Sequence, residues 1–487
     1  MRDTLLLINL CKSTSRAVAK KLRGEGFFCL IISPDEPLEA FVAPETRGLV
    51  VCGGSKGIAA EIPDPEKLTS TGLPVLVFGD AALGLCQQMG GNIVSFGEGP
   101  EPIQISSDSQ EPLLEGIRES ERYLEAPTCM NLPAGFRPVA WTAEGGVIGY
   151  ALNTAPVYGF AFQVEANDPE GVRLLQNFAG SICKCEPWWN DNAFIDFALD
   201  EIRREADGGE AICAISGGVD SAVCAALGAR ALGDRMRCIF VDTGLLRQGE
   251  AEDIMQNLEH IAGLQIKRID ATAEFIEALQ GVSDTHEKEQ IIYARLRAHI
   301  RHEVSAMPDV RVILQGTNYS DTFGTSLSMR SEMTGVRVRI LEPVRFLFKD
   351  EIRRLAQALH LPEAVCKRQP FPSSGLALRI IPEVTPERLQ QLQDADRIVR
   401  EEIETSSLNK RLWQYYAGLY ENPIEPKDAI IITIRAVQAM ERGAVAARLP
   451  SDLLERMTER IMKEIPKVAR VLYDMTPSQS YGRMEWS

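Results

Sequence analysis

The chain has 487 residues, 45% hydrophobic and 25% charged, the balance of an ordinary globular protein with room for roughly three domains at about 150 residues each. A formal net charge of −16 excludes a general nucleic-acid surface, which needs a basic stripe, but leaves room for a local phosphate pocket. No apolar run approaches the roughly 18 residues of a membrane span and the opening run is too short for a signal peptide, so no membrane partner and a cytoplasmic location are expected.

In chain order, hydrophobic periodicity predicts strands at 4–10, 27–32, 48–52 and 74–78, with helices at 15–23 and 81–89. Strands separated by helices imply a parallel sheet covered on both faces. Residues 145–162 read as hairpins, 170–183 as a closing helix, and Pro187-Trp188-Trp189 as a boundary. A second α/β region begins with a helix at 192–206. It continues with strands at 211–215, 237–241, 265–270 and 312–315, separated by helices that include 251–262 and 287–307. Such a doubly wound parallel sheet binds ligands beyond the carboxyl ends of its strands. From about residue 370 come helices at 386–406 and 451–464 and strands at 428–435 and 468–473. The expected domains are 1–188, 189–369 and 370–487.

Eleven cysteines, an odd number spread mostly through apolar runs, read as buried free thiols. Cys183 and Cys185 form a lone C-x-C with no second pair, which argues against zinc. All five histidines, His260, His286, His299, His302 and His360, lie beyond residue 259.

The sharpest chemical feature is Ser216-Gly217-Gly218-Val219-Asp220-Ser221, between the strand at 211–215 and a helix-like run at 222–232. Two glycines let the backbone approach a phosphate, and the following helix aims its free N–H groups and positive dipole end at the same anion. Ser216 and Ser221 add hydroxyl donors, and Asp220 can serve a magnesium ion. No lysine follows the glycines, so this is not a GxxxxGK[ST] loop. It resembles the pyrophosphate loop of the ATP pyrophosphatases, which split ATP between the α and β phosphates. A Gly-Gly turn capping an ordinary helix is the plainer alternative.

Further stretches carry one pattern: Cys238-Ile239-Phe240-Val241-Asp242-Thr243-Gly244, Gly316-Thr317-Asn318-Tyr319-Ser320-Asp321, Phe348-Lys349-Asp350-Glu351, and Val471-Leu472-Tyr473-Asp474 with Glu485-Trp486. Together they resemble GMP synthetase over essentially the whole chain. The resemblance implies a class I amidotransferase-like α/β domain, a doubly wound parallel-sheet ATP pyrophosphatase domain and a small α+β dimerisation domain, hence a homodimer. It also implies an ATP-dependent ligase using ATP and Mg2+ that adenylates the xanthine oxygen of XMP so that ammonia displaces AMP. Ser216, Gly217, Gly218, Val219, Asp220 and Ser221 would then cradle the β and γ phosphates, with Asp220 on the metal. Lys349 would be a point charge on pyrophosphate, Val241, Asp242 and Gly316 would line the nucleotide site, and Asp321 would assist the metal or lid. The plainer readings are Lys349 as an exposed first-turn helix residue and Asp242 as a turn cap.

The first domain departs from the pattern. Such domains carry a cysteine in Gly-x-Cys-x-Gly on a sharp strand-to-helix turn, with a His-x-Glu pair downstream. Here Gly79 stands at the nucleophile position, and Phe162-Gln163-Val164-Glu165 keeps Glu165 but offers Gln163 for histidine. Glutamine accepts no proton at neutral pH. Cys86 lies more than a turn into the helix on the core face, a packing position, so no glutaminase activity is expected. Gly53 and Gly54, at the oxyanion-loop position, read as fold requirements.

The acceptor elements differ as well. The lid 322–335 is shorter than in the resembling family, and Ser373-Ser374 stands in its Pro-Phe-Pro-Gly-Pro-Gly-Leu, although Arg379 is kept. Ser478-Gln479-Ser480-Tyr481-Gly482-Arg483 replaces Lys-Pro-Pro-Ala-Thr. Arg379 and Arg483 are the remaining candidate cations for an acceptor phosphate. The leading expectation is therefore adenylation of a purine-like or other small acceptor that differs from XMP. Ammonia-dependent GMP synthesis is one alternative, and a non-catalytic nucleotide-binding regulator is the other.

Overall fold

A computed structural model describes residues 2–53, 64–95, 101–107, 110–117, 120–124, 128–164, 168–259, 261, 264–319, 321, 338–424, 426, 428–440 and 443–476. The chain divides into two compact units, Met1–Phe194 and Ile195–Ser487.

In the first unit the apolar runs become β1 (Thr4–Asn9), β2 (Cys29–Ile32), β3 (Thr46–Cys52) and β4 (Val75–Phe78), buried along nearly their whole length as a sheet covered on both faces requires. Helices α1 (Lys12–Gly24), α2 (Pro65–Ser70) and α3 (Asp80–Gln88) alternate with them. There follow β5 (Asn92–Ser95), β6 (Glu101–Ser107), β7 (Ser120–Leu124), β8 (Thr128–Asn131), β9 (Phe136–Thr142), β10 (Val147–Leu152) and β11 (Val157–Phe160). The main sheet has the order β2-β1-β3-β4-β11-β10-β9-β6-β7, while β5 pairs with β8 separately. Pairing is parallel from β2 to β11 and antiparallel beyond it, which matches the hairpin reading of 145–162. The helix expected at 170–183 is regular only as α4 (Pro169–Gln176) and then widens into a π turn, Asn177–Ile182. Asn177 spends its amide on the carbonyls of Leu113 (3.0 Å) and Glu115 (2.9 Å), and Gly180 adds a weak helix former in the same turn.

Helix α5 (Asp191–Ala206) leads into β12 (Glu210–Ile215), α6 (Val219–Leu232), β13 (Met236–Asp242), α7 (Glu250–Glu259), β14 (Gln265–Asp270), α8 (Thr272–Ala278), α9 (Thr285–Ser305), β15 (Val310–Leu314) and β16 (Arg339–Leu341). The five strands form one parallel sheet in the order β14-β13-β12-β15-β16. Strand order reverses at β12, between β13 and β15, so the loops leaving these three strands share the carboxyl edge where α/β sheets bind ligands. α6 is built of small apolar residues and is buried on nearly every face, which lets it lie close on the sheet.

After α10 (Lys349–Ala358), α11 (Glu363–Cys366) and α12 (Pro386–Thr405), a second sheet is formed by β17 (Gln414–Glu421), β18 (Ile430–Met440), β19 (Gly443–Ala446) and, after α13 (Ser451–Glu464), β20 (Val468–Tyr473). Its core is continuous with that of the nucleotide-type sheet: Ile239, Phe275 and Ile300 belong to one apolar cluster with Leu392, Ile432 and Met457. No helix among the described residues is long and apolar enough to cross a membrane.

Candidate active site

The Ser216 loop follows β12 and opens directly into α6, whose N-cap, Gly218, has extended backbone and makes no side-chain cap bond. The first turn of α6 therefore has no side-chain acceptor of its own at its N-cap, a feature suited to an anion. The hydroxyls pack within the loop: Ser221 Oγ donates to the Gly218 carbonyl (3.0 Å) and receives the Ser216 N–H (3.2 Å). The Ser216 and Ser221 oxygens lie 3.2 Å apart, and the Gly218 N–H reaches Ser216 Oγ at 3.3 Å. Gly217 has φ +79°, and a Cβ there would overlap Arg368 and Ile254. Glycine is the residue that this turn accepts.

Val219 and Asp220 form the first turn of α6. Asp220 Oδ2 is paired with the Lys349 ammonium and accepts from Asn318 Nδ2 at 3.3 Å, while Asp220 Oδ1 is buried without a hydrogen-bond partner among the described residues. Lys349 reaches this point because α10 starts in a fixed place. Glu351 turns back to accept the Phe348 N–H (2.8 Å), and Phe348 packs edge-on against Tyr319. Lys349 is the first residue of α10, and its side chain is committed to a carboxylate 129 residues away.

Gly316, just past β15, lies against the same helix start: a Cβ there would come within 2.8 Å of the Asp220 carbonyl carbon and the Ser221 nitrogen. Beyond it, Thr317 donates to Glu342 (2.7 Å), and the Asn318 N–H donates to Asp321 Oδ2 (3.0 Å). Burial first, and then the neighbouring Asp220 charge, hold the Asp321 carboxyl above the ordinary aspartate range. Asp220, Asp321, Gly316 and Lys349 are thus gathered at one edge, joined by Asn318, which the sequence reading did not single out.

Val241 and Asp242 end β13 at the same edge, both nearly buried. Asp242 is a turn cap, accepting the Gly244 N–H at 3.0 Å, and it also pairs with Arg268 at 2.5 Å. Arg379 is buried in the core, with Nε and Nη1 lacking a hydrogen-bond partner among the described residues. It is 1% exposed, its guanidinium lies 3.9 Å over the Tyr416 ring and 5.2 Å from Phe371, and burial lowers its pKa to about 10. Arg483, Glu165, Gly54 and the lid 322–335 lie outside the described residues.

In the first unit, Gly79 sits on the elbow between β4 and α3 with φ +61° and ψ −139°, where an L side chain is strained. The space its Cβ would need is taken by the Gln163 carboxamide, which donates to the Gly53 carbonyl at 2.9 Å. Cys86 is fully buried, and burial pushes its thiol up to about 11, as a packing residue and not a nucleophile would have it.

A family profile for NAD synthase matches residues 192–380, and one for the GMP synthase C terminal domain matches residues 401–486. GMP synthase (glutamine-hydrolyzing) of Caldicellulosiruptor saccharolyticus is 34% identical over 512 aligned residues, covering 99% of this chain and 99% of the relative. That of Symbiobacterium thermophilum is 33% identical over 510, covering 100% and 99%. The chain belongs to the GMP synthase family. It is accordingly an ATP-dependent ligase of the AMP- and pyrophosphate-forming kind. Among solved structures, the NH3-dependent NAD synthetase of Campylobacter jejuni aligns over 38% of this GMP synthase family chain and 79% of its own, at 21% identity and TM-score 0.31.

The residues missed from the sequence are those whose partners are remote. Asn318, Arg268 and Arg368 act across 98, 26 and 151 residues respectively, and neither arginine stands in a spacing that marks it. Asn318 lies within the Gly316-to-Asp321 stretch, and Arg368 stands two residues before the Pro370-Phe371-Pro372 stretch.

Proposed function

We propose that the chain adenylates an oxo group of a small acceptor with Mg·ATP, releasing pyrophosphate, and that ammonia or another nucleophile then displaces AMP, with no glutamine hydrolysis of its own. The observation that carries the first half is the uncapped start of α6 beside the Lys349–Asp220 pair. The β and γ phosphates accept from the loop N–H groups and the Ser216 and Ser221 hydroxyls, and Lys349 meets the charge that grows on the departing pyrophosphate. The acceptor oxygen forms a bond to the α phosphorus as the α–β bridge breaks. The nucleophile then forms its bond to the acceptor carbon, and the oxygen leaves with AMP.

The unpartnered Asp220 Oδ1 and the nearby Asp321 fit a magnesium ion, which binds through one or two carboxylates plus phosphate oxygens and water and needs no larger cage. When bound, that ion would neutralise charge on the pyrophosphate. Asn318 and Lys349 hold Asp220 in place.

What supports the absence of glutaminase activity is the elbow: no nucleophile at Gly79, no base at Gln163, and the carboxamide of the chain itself in the space beside the turn. What supports an acceptor other than XMP is the altered 373–374 and 478–483 sequences. A second reading is GMP formation from XMP with free ammonia, which full-length identity to proteins named glutamine-hydrolyzing GMP synthases fits no better than the first. Exposed Ile424, Val445, Met462, Leu472 and Met475, all in the C-terminal region, favour a second copy of the chain as partner.

The deciding assay measures AMP and pyrophosphate from Mg·ATP with XMP and other ring-oxo compounds, with ammonium or with glutamine. Acceptor-dependent pyrophosphate with ammonium and not with glutamine supports the reading. XMP as the preferred acceptor selects the second reading. Glutamine-supported turnover overturns the claim of no glutamine hydrolysis, and silence with every ring-oxo compound overturns the proposed acceptor class.

A further inference from the structure

The Ser216 loop is held from behind by an arginine outside the pyrophosphatase motif. The Arg368 guanidinium donates to the Gly217 carbonyl and, through its other terminal nitrogen, to Glu250. Glu250, itself nearly buried, uses its second oxygen to accept the Arg247 N–H at 3.1 Å, so the arginine is clamped at both ends.

A trans peptide points its C=O and its N–H in opposite directions. With the Gly217 carbonyl pinned to Arg368, the N–H of the same peptide, which belongs to Gly218, must face the other side of the loop. It does: its acceptor is Ser216 Oγ at 3.3 Å, on the hydroxyl face beside Ser221. A Gly-Gly peptide has little steric resistance to turning over, and Gly217 at φ +79° is the kind of position where it does so. Turned over, it would present a carbonyl oxygen, not a donor, to an incoming phosphate.

We infer that Arg368 is a positioning residue of the phosphate cradle, fixing the Gly217–Gly218 peptide so that its N–H and not its carbonyl faces the β and γ phosphates. This rests on the ligase reading above. It predicts a discrimination: ligands that carry the outer phosphates depend on Arg368, and AMP, which lacks them, does not.

The test is calorimetric titration of Mg·ATP, magnesium pyrophosphate and AMP into the full chain and into Arg368→Gln, Arg368→Lys and Glu250→Gln, with thermal melts of each. Arg368→Gln is expected to weaken ATP and pyrophosphate tenfold or more and AMP less than twofold. Arg368→Lys should recover part of the loss, because an ammonium can still reach the carbonyl. Should Arg368→Gln fail to fold, Glu250→Gln decides, with the same pattern at smaller amplitude. Equal weakening of ATP and AMP, or unchanged ATP affinity in a folded variant, overturns the role of Arg368 alone. Lack of Mg·ATP binding by the parent chain overturns the ligase reading and this role with it.

Discussion

Two strand-to-helix turns invite comparison, the elbow after β4 in the first unit and the loop after β12 in the second. Each leaves the carboxyl end of a parallel strand and runs straight into a helix. Each is abutted by a glycine from the neighbouring strand: Gly53 beyond β3, where a Cβ would come within 2.6 Å of the Ala81 nitrogen, and Gly316 beyond β15, 2.8 Å from the start of α6. The difference lies in what occupies the space above the turn. Neither helix start has a side-chain cap, but at the elbow a carboxamide of the chain fills the space, whereas at the Ser216 loop a carboxylate oxygen stands unpaired among the described residues. Two turns of the same backbone plan thus differ in whether the chain's own side chains occupy the space beside them.

The largest effect expected is on the second turn. Asp220→Ala or Lys349→Ala should cut acceptor-dependent pyrophosphate formation by about a hundredfold to a thousandfold, the usual cost of losing one preorganised charge, with melting temperature little changed. A folded Asp220→Ala enzyme with parental turnover would erase the distinction between the two turns.

Next come the paired glycines. Gly316→Ala and Gly53→Ala each push a methyl into backbone that cannot move aside, at about 1–3 kcal/mol of stability each, read by denaturant unfolding. Only Gly316→Ala should also slow pyrophosphate release. If Gly53→Ala slowed it equally, the elbow would not be inert.

At the elbow itself, Gly79→Cys should release no glutamate from glutamine and should lose of order 1–3 kcal/mol to backbone strain and overlap with Gln163. Adding Gln163→Ala should return the steric share and leave the strain. Glutamate release by the single variant would show that the filling is no obstacle.

The smallest effect concerns pH. Because the folded Asp321 carboxyl sits above its ordinary range, the native state binds its proton more readily than the unfolded chain, so this group lowers stability as pH rises through the window between the two values. Asp321→Asn should therefore be the more stable protein near neutrality. Its advantage should shrink as pH falls into the normal aspartate range, as melts across pH would record.

Much of this was legible in the sequence because the information is local. Apolar runs of four to seven residues fixed the strands, and Ser216-Gly217-Gly218 and Lys349-Asp350-Glu351 marked a loop and a helix start that meet. Gly79 and Gln163, where the resemblance leads one to expect cysteine and histidine, could likewise be read residue by residue. What stayed hidden depends on contacts between distant segments. Gln163 reads as a missing base, but its placement in the space beside Gly79 needs the fold. Arg379 reads as a free cation, yet two aromatic rings enclose it, and the long helix at 170–183 is interrupted by an asparagine that prefers carbonyls elsewhere.

The shared apolar cluster has a bearing on how such a protein can be re-engineered. The Leu376 N–H is bonded to the Leu245 carbonyl at 2.7 Å, the buried Lys288 ammonium spans the carbonyls of Ile380 and Pro382, and Arg247 pairs with Asp396 on α12. A seam stitched at so many points is no place to cut. Chimeras that exchange everything after residue 370 between relatives should unravel on both sides of the join, and altered acceptor choice is better sought by rewriting surface segments while leaving that interior intact.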